Sequence, residues 1–446
     1  MADAAGRLTK LAEEVLGAPL PVRIRAWDRS ESGPPGAPTL VIRHRRALRR
    51  MLFKPGELGL ARAWVAGDLD IEGDLYAALD LLAGLIWERP GGGGSPRAAV
   101  LRALARPEIR AAARELLVLA GAPVPPAPPV EEVRRRRGPL HTLRRDKAAI
   151  SHHYDVGNDF YALVLGPSMV YSCAYWGTGE GAGAGAFTLE EAQHDKLDLI
   201  CRKLGLREGQ RLLDVGCGWG SMVLHAAREY GVRAVGITLS EEQATFARKR
   251  IAEAGLADRI EIRVQDYREI HDEPFDAISS IGMAEHVGRT RYAEYADALY
   301  SLLKPGGLLL NHQIARRPVV DEESYRVDEF IDRYVFPDGE LAPLGRTVGQ
   351  LEDAGFEVRD VEAIREHYAL TLRRWVANLE EHWDRAARLT SPGRARVWRL
   401  YMAACALSFE RNRLGVNQVL AVRTPETGDA GQPLRARTWP PVAPGA

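Results

Sequence analysis

An α/β fold with a Rossmann-like, doubly wound and mostly parallel sheet is predicted for most of this 446-residue chain, preceded by a smaller α+β domain. Three observations predict it. Strand and helix patterns alternate strictly between residues 211 and 314. The first of those strands runs into a glycine-rich loop that opens a helix. Segments rich in Pro and Gly separate this regular stretch from a less regular N-terminal one.

Residues 1–88 make the accessory domain, with strands expected at 22–27 and 39–42 and a helix at 75–86. Gly56-Glu57-Leu58-Gly59 and Gly67-Asp68-Leu69-Asp70 read as turns with acidic caps, and no catalytic constellation is found there. Residues 89–139 read as a linker. Its glycine run at 91–94 is a flexible break, its Pro-rich run at 121–129 is stiff and extended, and a short helix-like piece lies between them at 98–120. The main domain covers 140–423, and 424–446 reads as a disordered tail.

Within the main domain, strand Arg211–Val215 leads through the glycine loop to helix Ser221–Tyr230, which Gly231 ends, and a second strand follows at 233–237. Ser240-Glu241-Glu242-Gln243 has the form of a capping box and opens a helix that stops near Gly255. Strands follow at Ile260–Val264, Phe275–Ile281 and 307–314, with a helix at 291–303 and a tight turn, Leu303-Lys304-Pro305-Gly306-Gly307, before the last. Residues 356–361 and 417–423 add two more strands, and the helical material at 370–413 is an insertion between them. The Gly/Ala stretch at 177–186 reads as a mobile loop.

Sixty basic residues balance sixty acidic ones, which argues against a dedicated nucleic-acid binder. Two basic clusters stand out: Arg43, Arg45, Arg46, Arg49 and Arg50, and Arg134 to Arg137 with Arg144, Arg145 and Lys147. Each is either a solvated face or a contact with an anionic surface. Cys173, Cys201, Cys217 and Cys405 lack metal spacing and are too few for a disulfide scaffold, so a reducing cytoplasm is expected and no metal. No apolar stretch reaches the ~18 residues of a membrane span, and the N-terminus has no export signal.

The loop Asp214-Val215-Gly216-Cys217-Gly218-Trp219-Gly220 lies where such sheets bind nucleotide-type ligands. Glycine there allows a ligand to approach the backbone closely. An acid inside the strand end, and no third glycine at dinucleotide spacing, favour a class I S-adenosylmethionine methyltransferase over a nicotinamide enzyme. Thr238-Leu239-Ser240 with Gln243 places polar groups where ribose hydroxyls would lie, and Gln265-Asp266-Tyr267 offers an acid to the adenine amino group. Many methyltransferases carry Asp or Glu at the end of the second strand; here Gln243 must supply that contact.

The order of several further motifs is specific. His153-Tyr154-Asp155-Val156-Gly157-Asn158-Asp159-Phe160, Tyr171-Ser172-Cys173-Ala174-Tyr175-Trp176, Gly282-Met283-Ala284-Glu285-His286-Val287-Gly288, Asn311-His312-Gln313-Ile314 and Tyr334-Val335-Phe336-Pro337 flank the glycine loop. With it they resemble the cyclopropane fatty acyl phospholipid synthase family, weakly before residue 140 and strongly after it. That family includes mycolic acid cyclopropane synthases and fatty acid methylene- or methyl-branching methyltransferases.

The resemblance implies transfer of a methyl(ene) group from S-adenosylmethionine to the double bond of an unsaturated phospholipid acyl chain. Attack of the olefin on the sulfonium methyl leaves a carbocation, and proton loss from the new methyl closes a cyclopropane. The site then needs a base and a dry, aromatic pocket that tolerates positive charge. The resemblance implies bicarbonate as that base. It would be held by the backbone of Cys173 and Ile314 and by the side chains of Glu285, His312 and Tyr368, with a proton shared between Glu285 and the anion and His312 either charged or neutral near pH 7. It also implies cofactor contacts from Tyr171, Ser172, Gly216, Gly218, Thr238, Leu239, Gln243, Gln265 and Asp266, with Asp214 in the same loop. Taken singly, a buried Cys or a strand-end His is more often packing, and the joint pattern carries the reading.

Ala284 stands where relatives often carry a bulkier side chain, which leaves a methylene-branched product open, with a partner reductase to follow. A homodimer docked at the inner face of the membrane is expected. Two readings stay open beside these: a small-molecule O- or N-methyltransferase, and a non-catalytic lipid-binding protein that keeps the fold. His225, His271 and His382 read as surface or packing residues.

Overall fold

The computed structural model describes residues 3–87, 107–121, 124–133, 156–177, 187–322, 325, 327–434 and 437. The glycine run at 91–94, the second basic cluster, His153-Tyr154-Asp155 and most of the Gly/Ala loop lie outside them. The described residues fall into two compact units. One comprises 3–133 with 328–335 and 391–407, and the other holds the rest.

The first unit opens with helix α1 (Ala4–Leu16), capped by the Asp3 carboxylate on the Gly6 N–H and closed by left-handed Gly17. Strands β1 (Arg23–Arg25), β2 (Glu31–Ser32), β3 (Thr39–Ile42) and β4 (Leu69–Glu72) form a sheet in the order β2-β1-β3-β4. Helices α2 (Arg46–Phe53) and α3 (Glu57–Val65) come between β3 and β4, and α4 (Leu75–Trp87) and α5 (Pro107–Ala120) follow. Two turn assignments are corrected here. Glu57 opens a helix, because Leu58, Ala61, Trp64 and Val65 recur at helical spacing and are buried. Leu69 and Asp70 belong to a strand, with Leu69 and Ile71 alternating into the core.

Segment 391–407 joins this unit through Arg396, whose guanidinium lies over the Trp64 ring (4.5 Å) and bonds Asp70 (3.2 Å). Segment 328–335 joins through Tyr334, whose hydroxyl donates to Glu132 (3.1 Å). The first basic cluster is largely neutralised inside the unit. Arg46 and Arg50 both bond the fully buried Asp68, and Arg43 bonds Asp70. For these three arginines the anionic-surface reading gives way to internal ion pairing.

The second unit begins with α6 (Asn158–Leu165) and α7 (Leu189–Lys203), the latter opened by a complete capping box between Thr188 and Glu191. Then come β5 (Arg211–Val215), α8 (Ser221–Tyr230), β6 (Arg233–Thr238), α9 (Glu241–Glu253), β7 (Ile260–Val264), β8 (Phe275–Ile281), α10 (Ala284–Val287), α11 (Tyr292–Leu302) and β9 (Leu303–Arg316). The chain ends with β10 (Ala342–Pro343), α12 (Leu344–Asp353), β11 (Glu357–Ala363), α13 (Arg365–Glu381), α14 (Trp383–Leu389), the helix Pro392–Glu410 and β12 (Leu414–Val422).

The sheet order is β11-β12-β9-β8-β5-β6-β7, with β10 beside β9. Strands β7, β6, β5, β8 and β9 are parallel; β12 runs antiparallel to β9, and β11, antiparallel to β12, points the same way as the core strands. After β7 the chain returns to the other side of β5, so the switch point lies between β5 and β8, where a ligand is accommodated at the carboxyl ends. The expected turn at 303–307 is absorbed into β9 as an irregularity, since the register slips between Phe275↔Leu303 and Ala277↔Leu308. Residues 424–434 carry no helix or strand, yet the Thr424 hydroxyl donates to Glu357 on β11 (2.7 Å).

Asp68→Ala is expected to lower unfolding stability by about 3 kcal/mol, because it strips the buried Arg50 of its counter-charge. Urea denaturation followed by tryptophan fluorescence measures this. A loss no larger than that of an exposed Asp would show that the pair is not holding the unit together.

Candidate active site

The cleft forms where β5 ends. The N–H groups of Gly216 (3.0 Å) and Cys217 (2.9 Å) both donate to the Ile237 carbonyl at the end of β6, which turns the chain sharply away from the sheet. Gly216, Gly218 and Gly220 all have positive φ (82°, 53° and 82°). A Cβ on Gly220 would press on Ala247 at 3.0 Å, whereas one on Gly218 would meet no protein atom. Backbone conformation therefore dictates all three glycines, and Gly218 alone borders open space.

A cleft of about 940 Å³ opens over this loop. All ten residues expected to bind the cofactor line it: Tyr171, Ser172, Asp214, Gly216, Gly218, Thr238, Leu239, Gln243, Gln265 and Asp266. The Thr238 hydroxyl donates to Gln243 Oε1 (2.8 Å) and accepts the Ser240 N–H (3.2 Å). That fixes the Gln243 carboxamide with its NH₂ as the group left to offer. The capping box expected at 240–243 is only half formed. Ser240 accepts the Gln243 N–H (3.3 Å), but the Gln243 side chain turns to Thr238 instead of back to the cap.

Gln265 Nε2 donates to the Glu269 carbonyl (2.7 Å). Asp266 takes the Arg268 guanidinium through both oxygens (2.7 and 2.8 Å), so it is held as a carboxylate acceptor at the cleft wall.

Sequence reasoning missed Lys196. It lies on α7 with Ala192 and Ile200 four residues to either side on the buried face, is 1% exposed, and lines the cleft. Its Nζ donates to the Ser172 hydroxyl (3.0 Å). Burial pulls its ammonium down to about 8. Asp214 is buried opposite, with Oδ1 accepting the Ser279 hydroxyl (2.7 Å), and desolvation pushes it up to about 6. The available signal was a lysine inside the apolar periodicity that follows the Thr188-Leu189-Glu190-Glu191 cap.

Of the five residues expected to do chemistry, Glu285, His312 and Ile314 meet at the carboxyl end of β9, while Cys173 and Tyr368 pack against other neighbours. Glu285, on α10, accepts the Ile314 N–H through Oε1 (2.8 Å), while its Oε2 is buried without a partner among the described residues. His312 lies two residues from Ile314 on the same face of β9, and its Nδ1 is 3.3 Å from Gln418 Nε2 on β12. The ring and the amide share one hydrogen bond, whose direction depends on the tautomer of His312.

Cys173 Sγ lies 3.7 Å from the Ile364 carbonyl, and Ile364 N–H in turn bonds the Val416 carbonyl (2.9 Å) opposite Ile314. Tyr368 packs on Phe409 (4.8 Å) and Trp375 (6.0 Å). Ring contacts then run from Trp375 to Tyr171 (5.4 Å), Tyr161 (5.7 Å) and Trp219 (4.7 Å), which joins Tyr368 to the glycine loop by aromatic packing. Glu285 and Ile314 instead line a second, tight cavity of about 20 Å³, together with Ala284, Tyr292 and Arg346. The short helix α10 stands between the two spaces, since Met283 and His286 face the first.

Two expectations change. His312 is not poised to titrate near pH 7: burial, with Lys196 and Lys203 nearby, drives its imidazole well below the usual range and keeps it neutral. The Ile314 N–H, expected to face an anion, is occupied by Glu285. Of the histidines set aside, His225 is buried beside Asp198 (3.9 Å) and does not line the cleft.

A glycine loop at the switch point of a doubly wound sheet, together with the family match and solved structures below, makes this a class I S-adenosylmethionine-dependent methyltransferase. The chain belongs to the mycolic acid cyclopropane synthetase family, whose profile matches residues 141–419. It is 44% identical over 432 residues, 94% of this chain and 95% of the relative, to a probable fatty acid methyltransferase of Mycobacterium tuberculosis. To the cyclopropane-fatty-acyl-phospholipid synthase of Escherichia coli it is 38% identical over 289 residues, 65% of this chain and 71% of that one. Among solved structures, a mycolic acid cyclopropane synthase complexed with SAH and CTAB superposes with a TM-score of 0.57 at 33% identity, covering 62% of this chain and 98% of that one. The enzyme therefore transfers a one-carbon unit from S-adenosylmethionine to lipid.

Burial pushes the Glu285 carboxyl up to about 7, against the pull of the Ile314 N–H. An unfolded Glu ionises near 4.5, so between these values the unfolded chain releases a proton that the fold retains. The fold loses stability as pH rises through that window. Glu285→Gln is expected to gain on the wild type by of order 2 kcal/mol between pH 5 and pH 8 in bicarbonate-free urea titrations. A pH-independent difference would contradict the buried, neutral carboxyl.

Proposed function

We propose that this enzyme methylates the double bond of unsaturated phospholipid acyl chains and closes a cyclopropane, with Glu285 at the centre of the proton-removing site. One observation carries the reading: a buried carboxyl, half satisfied by Ile314 N–H, with its second oxygen unpartnered. Methylation of an oxygen or nitrogen leaves the proton to be lost on the heteroatom, where water can accept it, so no buried base need be held against a carbon. Closing a ring from a carbocation does need a base held ready.

The residues present fit a small oxyanion such as bicarbonate, which would supply that base. Glu285, protonated up to about pH 7, donates to an anion through the oxygen that lacks a partner. Neutral His312, in the tautomer that accepts from Gln418 through Nδ1, offers an Nε2–H and adds no charge of its own. The rings of Tyr368, Trp375, Tyr171, Tyr161 and Trp219 form an apolar wall that excludes water and tolerates positive charge. At the other end Gln243, Gln265 and Asp266 orient the nucleoside of the methyl donor.

A second reading has its own support. The relative matched over 95% of its length is named a fatty acid methyltransferase, and Ala284 presents only a methyl group to the cavity that Glu285 lines. A wider cavity there permits a different proton to leave, giving a methylene branch that a reductase would saturate. In either case the acyl chain comes from a bilayer. We place that contact at the inner membrane surface; no described helix is long and apolar enough to cross the bilayer. Assembly as a homodimer completes the proposal.

Expression in an oleate-rich host, followed by mass spectrometry of fatty acid methyl esters, tests this. The expected product is one CH₂ heavier than the oleate ester and has lost its olefin. A heavier product that keeps its unsaturation selects the methylene reading, and no heavier product rejects both. Glu285→Gln is expected to slow formation of the heavier ester about 100-fold while affinity for the methyl donor is retained.

A further inference from the structure

We propose that Lys196 is a positioning residue of the cofactor site, whose ammonium, acting through the Ser172 hydroxyl, holds the carboxylate end of S-adenosylmethionine. This rests on the reading of the cleft as the site of that cofactor.

Helix α7 carries Lys196 into the core between Ala192 and Ile200, where a lysine can pack only if an anion repays its lost hydration. No carboxylate among the described residues is bonded to it; its hydrogen bond goes to a neutral hydroxyl, Ser172 Oγ, at 3.0 Å. Asp214 is close enough to be felt electrostatically, but its Oδ1 is committed to Ser279 (2.7 Å). Lys196, Ser172 and Asp214 all line the same cleft. An anion arriving in that cleft supplies what the lysine lacks.

Direction of donation sharpens the assignment. An ammonium only donates, so Ser172 Oγ must accept from Lys196, and its own proton is then free to point into the cleft it lines. The pair acts as a relayed positive charge with a hydroxyl donor at its tip. Asp214 lines the same cleft with the opposite sign. A ligand bearing both a carboxylate and an ammonium on neighbouring carbons, as the amino acid end of S-adenosylmethionine does, matches both. The nucleoside end is accounted for separately by Gln243, Gln265 and Asp266. Burial brings the lysine to about 8, so it keeps most of its charge at neutral pH.

Calorimetry with two probes separates this role from mere packing. S-Adenosylhomocysteine carries the carboxylate; 5′-deoxy-5′-(3-aminopropylthio)adenosine differs only in lacking it. Lys196→Met is expected to weaken S-adenosylhomocysteine about 10- to 100-fold and leave the amine probe unchanged. Ser172→Ala is expected to show the same selectivity at smaller size, and it carries the test if Lys196→Met does not fold. Equal loss on both probes assigns Lys196 to packing and overturns the proposal, as does no loss on either. A wild-type protein that binds neither probe removes the cofactor reading itself.

Discussion

Two backbone N–H groups sharing the Ile237 carbonyl are the constraint on which the rest of the site depends. That pairing bends the chain out of the sheet immediately after β5, and only residues at ease with positive φ can follow it. The bend leaves space at the switch point, points α8 at that space, and brings Ser172, Thr238 and Asp266 to its rim. The packing of Gly220 against Ala247 on α9 then locks the second helix against the loop. A methyl donor site follows from backbone geometry before any side chain has acted.

The site also withdraws several charges from water. Lys196, Asp214 and Glu285 are all withdrawn from water, and desolvation moves each toward its neutral form. A surface would show none of this. Such an arrangement destabilises the empty protein and rewards ligands that restore the missing charge, which is how binding energy becomes orientation. His312 is held neutral by its burial and by Lys196 and Lys203 nearby. Aromatic rings from Trp219 to Tyr368 pack in a continuous series that begins at the glycine loop.

Much of this was legible in the sequence, because glycine loops and strand periodicity are local signals. The five parallel core strands, the two further strands that follow them and ten of the residues lining the cleft could be read from pattern, motif order and family resemblance. The misreadings share a cause. Glu57 and Leu69 were masked by adjacent glycines that suggest turns, while the burial of their neighbours decided otherwise. Gln243 was taken for a cap partner, but Thr238 lies across the strand end and competes for it. Lys196 and the neutrality of His312 depend on what surrounds a side chain in three dimensions, and no spacing rule reports that. The arginines at 43, 46 and 50 looked like a surface patch because Asp68 and Asp70 come some twenty residues later and meet them only through sheet pairing.

The most direct measurement of the central claim uses purified enzyme, dioleoyl phospholipid vesicles and S-adenosylmethionine bearing a fully deuterated methyl group. If a base beside Glu285 removes a proton from the newly attached methyl, the acyl product carries a CD₂ unit and no olefin. A product that retains the whole CD₃ group would contradict the account, since methyl transfer would then have ended without the proton removal that the buried carboxyl is argued to serve.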